Sequence, residues 1–308
     1  MRLLSRDVMQ QLLHRVEENN IIKISDMEDK TKFLPFVCNG VTFGYVKSQF
    51  ASKLSEFQDT FTTDDNRSLR LTARLEKGSV QERTHSVAAV TKSLQQMGLI
   101  KGWRDELLPV VSSYDSDPIF LLERAAYPIF ATRGYGIHLN GYVRKPGGEV
   151  YLWVARRSKT KQTWPGMLDH IVAGGLPYGI SLRDNVIKEC GEEASIPVDV
   201  ASRALPVGAV SYVGLDEDGN VKRDVLFCYD LELPASFVPV PCDGEVEAFE
   251  LKSIDWVIGR IASGGLEGYK PNCNLVVIDF LIRRGFIDPD SPLYLKLVGA
   301  LRPSDSCS

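Results

Sequence analysis

Paired cysteines and long apolar runs are both missing from this sequence of 308 residues. Its six cysteines show no CxxC spacing, which argues against a structural zinc site or a disulfide framework. No run approaches about 18 apolar residues, the length that a membrane span needs, and the N-terminus lacks the apolar core of a signal peptide. We therefore expect reduced, mostly buried thiols in an intracellular protein with no membrane partner. The cytoplasm is the expected compartment, with the plastid as the alternative if a transit peptide is missing from this chain.

An excess of basic residues is also absent, since 36 Lys and Arg residues face 40 Asp and Glu residues and give a net charge of −4. No global basic field therefore points to a nucleic-acid partner, and a phosphorylated ligand would need a local basic patch. The chain has neither a GxGxxG nor a GxxxxGKS/T motif, which argues against dinucleotide-binding and P-loop sites. Its composition is that of a globular protein, and its length suffices for about two domains.

The most informative segment places three carboxylates on one face of a short helix behind a glycine turn at residues 174–175. Glu189, Glu192 and Glu193 stand at positions i, i+3 and i+4, so their side chains can converge on one cation. Hard divalent cations prefer oxygen ligands, which indicates Mg²⁺ or Mn²⁺. The alternative interpretation is a charged face exposed to solvent.

Local signals predict how this helix is built. Ser181 is a natural N-cap, and an apolar stripe repeats every four residues, at Leu182, Val186, Cys190 and Ala194. We therefore expect the stripe to be buried and the glutamate face to point away from the core. Gly191 inside the helix costs about 1 kcal/mol, so tertiary packing must hold the helix.

The remaining pattern predicts a mixed sheet between helices after an N-terminal part of mixed helix and strand. Residues 46–57 and 79–97 read as helices, and the turn composition at 145–149 predicts a hairpin. Strands are expected at 137–143, 150–155, 168–173, 207–213, 221–231 and 245–251, with helices at 253–262 and 272–284.

The segment from Gly174 to Ile196 resembles the Nudix box, GX5EX7REUXEEXGU with U aliphatic. The positions in register are Gly174, Lys188 in place of Arg, Glu189, Cys190, Glu192, Glu193 and Ile196. Ile180 stands where the box has its first Glu, and Ser195 stands where it has Gly. If a positive φ ends the helix at Ser195, the strain there is about 1 kcal/mol. The resemblance over residues 130–288 implies an α/β Nudix fold, a mixed β-sheet sandwiched by helices, in domain 126–308, with an N-terminal α+β domain over 1–125.

Several phrases resemble one subfamily over nearly the whole chain: the eukaryotic Nudix hydrolases related to the Nudix region of fungal thiamine pyrophosphokinase, with plant relatives. These phrases lie at 102–106, 135–141, 164–170, 188–190, 222–230, 243–247 and 270–274. The resemblance implies a Mg²⁺-dependent diphosphohydrolase of thiamine diphosphate-like compounds, such as oxothiamine and oxythiamine diphosphates, that releases the monophosphate and phosphate. The alternatives are a nucleoside diphosphate derivative such as ADP-ribose or NADH, or a non-catalytic binding protein.

The resemblance also implies roles for the acidic helix. Glu192 and Glu193 are expected to be direct metal ligands, with Glu189 as a third ligand or the group that orients water. Lys188 would hold a glutamate by charge pairing, and a backbone carbonyl of the turn at Gly174 would complete the metal shell.

The resemblance implies one further metal ligand beyond the helix, at Glu245, which shares a strand face with Glu247 if the strand is regular. The alternative for both residues is an exposed edge of the sheet.

A basic patch on the predicted hairpin and on a later strand would suit the diphosphate tail of the substrate. Within and near this patch the resemblance favours Arg156, Arg157 and Arg223 as substrate contacts, and Trp164 is a candidate for stacking on a heteroaromatic ring. His170 is either a substrate contact or a hydrogen-bonded core residue. Isopentenyl diphosphate isomerases share the fold but use a cysteine on the strand before the helix, and this chain has none there.

Overall fold

Short helices and strands alternate along the whole chain in the computed structural model, which describes residues 3–64, 67–216 and 219–303. The helices of these residues are α1 (Arg6–Glu17), α2 (Ile24–Met27), α3 (Ser48–Ser55), α4 (Ala73–Glu76), α5 (Val80–Gln96), α6 (Tyr127–Phe130), α7 (Leu182–Ala194), α8 (Val198–Ala201), α9 (Ile254–Ser263), α10 (Pro271–Arg283) and α11 (Tyr294–Ala300), with a 3₁₀ turn at Arg124–Ala126. The strands are β1 (Phe33–Cys38), β2 (Val41–Lys47), β3 (Phe61–Thr63), β4 (Leu69–Leu71), β5 (Leu107–Val110), β6 (Phe120–Glu123), β7 (Arg133–Arg144), β8 (Val150–Arg157), β9 (Leu168–Asp169), β10 (Val172–Gly175), β11 (Leu205–Leu215), β12 (Val221–Glu232) and β13 (Val246–Ser253).

The apolar strands after residue 130 form one mixed sheet of seven strands. Its order is β11-β12-β7-β8-β13, with β10 beside β7 and β9 beside β8. Strands β7 and β12 run parallel, and the other pairs are antiparallel. The predicted hairpin turn is confirmed, since the backbone N–H of Lys145 donates to the carbonyl of Glu149 at 2.8 Å. The single strand predicted at 168–173 is wrong, because the chain changes partner from β8 to β7 between β9 and β10.

Helices cover both faces of the large sheet, which confirms the predicted sandwich. Val186, Cys190 and Ala194 of α7 are buried against β7, as the stripe predicted. On the opposite face the apolar sides of α9, α10 and α11 share one core with α1. The first helix therefore packs on the helices at the other end of the chain.

The N-terminal part is α+β, as predicted. Its four-stranded sheet has the order β2-β1-β4-β3 and shares a core with α5 and the β5–β6 hairpin. Four phenylalanines meet in that core, with the rings of Phe36 and Phe130 edge to face at 5.3 Å. The helix predicted from residue 46 begins later, because the chain as far as Lys47 pairs with β1. The domain boundary between residues 125 and 126 stays a prediction.

The thiols lie mostly in these cores. Cys38, Cys190, Cys228 and Cys273 are buried, whereas Cys242 is exposed. Cys307 lies outside the described residues. Within the part of the chain that the structure describes, every helix is too short or too polar to cross a membrane.

Helix α7 ends at a left-handed residue that is not glycine. Ser195 has φ 54° and ψ 33°, and its hydroxyl donates to the carbonyl of Val240 at 3.0 Å. At the other end, Ser181 accepts a hydrogen bond from the backbone N–H of Asp184 at 3.1 Å. The N-cap prediction is confirmed, and the Val240 contact offsets part of the strain at Ser195.

Substitutions at Ser195 should separate backbone strain from the hydrogen bond. We expect Ser195→Ala to destabilise the protein by about 1 kcal/mol, because it removes the bond to Val240 and keeps the strain. We expect the free energy of unfolding of Ser195→Gly to exceed that of Ser195→Ala by about 1 kcal/mol, because glycine adopts positive φ without strain. Urea unfolding monitored by circular dichroism measures both values. If the two variants were equally stable, the backbone at the C-terminal end of α7 would not be strained.

Candidate active site

The acidic helix approaches the sheet where β10 has no side chain to keep it away. A Cβ atom on Gly174 would lie 2.5 Å from Cδ of Glu189, so no larger residue fits there without displacing that carboxylate. Burial raises the pKa of Glu189, even though Nζ of Lys188 lies 3.2 Å from its carboxylate and opposes the shift. Gly174 and Glu189 are thus placed side by side, as the predicted site requires.

The three glutamates of α7 do not share one environment. Glu193 is buried, and its Oε2 accepts the backbone N–H of Ala173 at 2.9 Å. Glu192 is half-exposed and pairs with Nζ of Lys188 at 2.8 Å. The prediction that the whole glutamate face points away from the core is therefore wrong for Glu193, because the backbone of β10 offers it a donor on the inner side of the helix.

A second group of carboxylates reaches Glu193 from the start of β13. Ligand oxygens of Glu193, Asp243 and Glu245 all lie within 4.8 Å of one another. Glu245 forms an ion pair with Lys161, which outweighs the effect of burial and lowers the pKa of Glu245. Glu247 is exposed and lies at a shift in the β13 register, so it does not share the environment of Glu245. Asp243 was not singled out from the sequence.

This carboxylate group fits a hard divalent cation. It offers only oxygen donors, the ligands that Mg²⁺ and Mn²⁺ prefer. Burial raises the pKa of Glu193 well above its ordinary value, and no basic side chain of the described residues forms an ion pair with it. A bound cation would supply the missing positive charge.

Strand β8 carries two arginines that were expected to contact substrate, and both hold the segment that follows this strand. Arg157 is buried and donates to Oδ2 of Asp169 at 2.6 Å and to the carbonyl of Trp164 at 3.0 Å. Arg156 donates to the carbonyl of Gly166 at 2.9 Å. These bonds fasten the loop 158–167 back onto its own strand.

The other two predicted substrate contacts, Arg223 and Trp164, also contact other parts of the protein. Arg223 is buried, donates to the carbonyl of Ala131 at 3.3 Å and has its guanidinium 5.6 Å from the centre of the Tyr45 ring. Trp164 is half-buried with φ 51°. A cavity lies between the N-terminal segment and the large sheet, and neither these two residues nor the two arginines of β8 are among the described residues that line it. Their roles therefore stay predictions.

The volume of this cavity is about 880 Å³. Ala173, Gly174 and Gly175 form part of its wall, so it reaches the strand on which the acidic helix rests. Its described lining has acids at Asp216 and Asp224 and a larger basic set, Lys47, Lys101, Arg104, Arg124, Lys222 and Lys270. The local basic surface that a phosphorylated ligand needs is therefore in this cavity, within a chain of net negative charge.

Several residues that the sequence patterns did not single out line this cavity or lie next to it. Arg104 lies in the phrase 102–106 and Tyr135 in the phrase 135–141, so the resemblance contained a signal for both. The ring of Tyr135 packs against Tyr114 at 5.1 Å and Phe227 at 6.3 Å. No spacing rule joins these residues, because they come from separate parts of the chain.

A buried polar group lies beside the cavity. His170 does not line the cavity; its Nδ1 lies 3.0 Å from Nδ1 of His138, which does line it. Burial lowers the pKa of both imidazoles and favours their neutral forms. Asp169 already accepts from Arg157 and from the thiol of Cys273 at 2.9 Å. This arrangement matches the hydrogen-bonded core interpretation of His170.

Two plant proteins are similar to most of the chain. It is 48% identical over 283 residues to "Nudix hydrolase 20, chloroplastic" of Arabidopsis thaliana, a match that covers 90% of this chain and 74% of that protein. It is 45% identical over 282 residues to "Nudix hydrolase 24, chloroplastic" of the same plant, covering 92% and 76%. The chain belongs to the Nudix hydrolase family.

Membership of the Nudix hydrolases confirms the predicted family and the prediction of an enzyme that hydrolyses phosphoanhydride bonds. Residues 11–134 also match a family model described as a domain of unknown function, DUF4743. The crystal structure of DR0079 from Deinococcus radiodurans matches with a TM-score of 0.41 and 21% identity, covering 58% of this chain and 98% of that one. Nudix hydrolases generally use divalent metals, and the carboxylates around Glu193 are a group that fits such an ion.

Two glycine substitutions should have opposite effects on this Nudix hydrolase. Gly174→Ala places a Cβ against Glu189, and we expect it to destabilise the protein by about 1–3 kcal/mol, the usual cost of overpacking. Gly191→Ala in the same region meets nothing within 4 Å. We expect it to stabilise α7 by about 1 kcal/mol. Urea unfolding of both variants checks these values, and a harmless Gly174→Ala would show that the close approach is not required.

The burial of Glu193 should make stability depend on pH. Because its pKa is raised in the folded state, the folded protein holds this proton more tightly than the unfolded chain, and stability falls as pH rises above 4.5. In a metal chelator at pH 8 we expect Glu193→Gln to melt at a higher temperature than the wild type, with the difference fading towards pH 4.5. Added Mn²⁺ should raise the melting temperature of the wild type far more than that of the variant. If the melting temperatures of the wild type and Glu193→Gln changed alike with pH and with Mn²⁺, the buried Glu193 carboxylate would not have these roles.

Proposed function

We propose that this Nudix hydrolase is Mg²⁺-dependent, with Mn²⁺ as the alternative ion, and cleaves the diphosphate of a thiamine diphosphate-like molecule to the monophosphate and phosphate. The observation that carries the reaction class is the group of Glu193, Asp243 and Glu245 oxygens within 4.8 Å, next to a strand that walls a basic cavity. The subfamily resemblance of the whole chain carries the choice of substrate.

The first proposed ligands of the cation, Glu193 and Glu245, already lie close to each other. Glu192 and the carbonyl of Gly174 would join them, and Glu189 is the third ligand of α7 if it does not orient the water. When bound, the ion would neutralise charge that spreads over the phosphoryl oxygens during cleavage. Glu192 enters this set by releasing its pair with Lys188, which its exposed position allows.

The residues of α7 divide the remaining work. Glu189 would orient a water molecule and take its proton as the water oxygen forms a bond to phosphorus and the anhydride P–O bond breaks. Its raised pKa favours this role, because a general base works best when its pKa approaches the working pH. Lys188 contacts Glu189 at 3.2 Å and would keep its carboxylate in position.

The organic part of the substrate would bind against the aromatic side of the cavity. Tyr135 lines the cavity, and its packing with Tyr114 and Phe227 gives a platform for a heteroaromatic ring. A volume of about 880 Å³ is ample for a molecule of this size. The resemblance favours four further residues as substrate contacts, and they stay part of the proposal: Arg156, Arg157, Trp164 and Arg223.

The proposal extends to organisation and place in the cell. We propose that residues 1–125 form the subfamily's own domain and residues 126–308 the Nudix domain. The cytoplasm remains the proposed compartment, and the names of the two Arabidopsis relatives favour the plastid as the alternative.

A substrate panel tests the proposal. Phosphate release with Mg²⁺ is measured directly for oxythiamine and oxothiamine diphosphates and thiamine diphosphate. For ADP-ribose and NADH, whose cleavage gives two monoesters and no free phosphate, phosphatase is added to release the phosphate. We expect a thiamine diphosphate analogue to have the highest kcat/KM. If the kcat/KM of a nucleotide were about tenfold higher, a gap of about 1.4 kcal/mol in transition-state stabilisation, the thiamine diphosphate-like substrate would be wrong.

A matched pair of acidic variants distinguishes an enzyme from a binding protein. Glu192→Gln should lower the rate by several orders of magnitude while the protein stays folded. Asp199→Asn removes an exposed carboxylate on neighbouring α8 and should leave the rate unchanged. The binding-protein alternative predicts no turnover in the wild type with any substrate of the panel.

A further inference from the structure

Two arginines of the N-terminal segment reach the cavity from one end of the β5–β6 hairpin. Leu107 pairs with Glu123 at that end, and Arg104 and Arg124 lie just outside the pair. Both line the cavity. Neither belongs to the acidic helix or to its glycine turn, so the cavity wall joins two distant parts of the sequence.

Backbone contacts hold this end of the hairpin next to the acidic helix. Oε1 of buried Glu123 accepts the backbone N–H of Arg104 at 2.9 Å and that of Ala125 at 3.1 Å. The backbone N–H of Tyr178 donates to the carbonyl of Leu107 at 3.3 Å. Tyr178 lies between β10 and α7, so the hairpin is bonded directly to the loop that leads into the acidic helix.

The guanidinium of Arg124 lies over the glycine turn. A Cβ on Gly175 would lie 3.5 Å from Cζ and Nη1 of Arg124, and 3.3 Å from Oε1 of Glu106. Nη1 of Arg124 donates to Oε2 of Glu106 at 2.7 Å. Arg124 is therefore held in place by one acid at the wall of the cavity.

Arg104 offers donors that the protein does not use. Its Nε donates to the carbonyl of Gly102 at 3.1 Å, whereas its two terminal nitrogens have no hydrogen-bond partner among the described residues. Burial and the nearby charge of Arg124 lower the pKa of Arg104. Both arginines line the same cavity, where an anion would offset their mutual repulsion.

We propose that Arg104 and Arg124 form a binding site for the terminal phosphoryl group of the substrate, so that the N-terminal segment completes the active centre. The inference rests on the proposed function for the presence of a diphosphate. The planar guanidinium fork matches phosphate oxygens in pairs, which an ammonium group cannot do. The carboxylates around Glu193 would then act on the same diphosphate through the bound cation.

The test measures binding separately from turnover. Methylenediphosphonate, a diphosphate mimic that resists hydrolysis, is titrated into the full chain with Mg²⁺ by isothermal titration calorimetry. We expect Arg104→Gln and Arg124→Gln each to raise its Kd at least tenfold, and Arg104→Lys to recover only part of the loss. Arg203→Gln, which changes an exposed arginine paired with Asp199, serves as the control and should bind as the wild type does.

The variants also separate this inference from the proposed function. Arg104→Gln removes no hydrogen bond of the terminal nitrogens, so it tests the site even if Arg124→Gln disturbs folding by leaving Glu106 unpaired. A wild-type Kd in folded Arg104→Gln would overturn the arginine site, whatever substrate the enzyme hydrolyses. Tight binding of the mimic that is lost in this variant, with no turnover of any thiamine compound, would support the site and reject the proposed substrate.

Discussion

The proposed active centre depends on the close contact between Gly174 and Glu189. The side chain of Glu189 can occupy its place beside β10 because Gly174 has no Cβ at the contact. Glu193 of the same helix accepts the backbone N–H of Ala173 on that strand. Strand β10 therefore contacts two carboxylates of α7, and the apolar stripe on the neighbouring face of α7 keeps the helix there.

The two parts of the chain meet around one cavity. The large sheet contributes the glycine turn and Tyr135, and the N-terminal hairpin contributes Arg104 and Arg124. The basic groups of the cavity wall come from elements other than the acidic helix, on which Lys188 pairs with Glu189 and Glu192. Arg124 has an acidic partner, Glu106, whereas Arg104 forms no ion pair within the part of the chain that the structure describes. The terminal nitrogens of Arg104 are therefore available to a phosphorylated ligand.

Local sequence patterns predicted those features that depend on neighbours along the chain. The stripe of α7, its N-cap at Ser181 and the hairpin at 145–149 could be read directly, because each is set by residues a few positions apart. The exchange of partners between β9 and β10 could not, since backbone pairing with distant strands decides it. The burial of Glu193 depends likewise on where β10 lies. The ion pair of Arg157 with Asp169 could not be read either, since the two residues lie twelve positions apart.

The departures from the Nudix box do not alter the middle of the acidic helix. Ile180 precedes the helix, and Ser195 adopts at its end the left-handed conformation that glycine would adopt, with the Val240 carbonyl as a partner. Glu193 is held by the backbone N–H of Ala173 on β10, and Glu189 packs beside Gly174 of the same strand. Burying the Glu193 carboxylate without an ion pair destabilises the folded chain, and a cation would offset that cost. A fold kept only for binding an organic molecule has no need of this arrangement, whereas a metal-dependent hydrolase does.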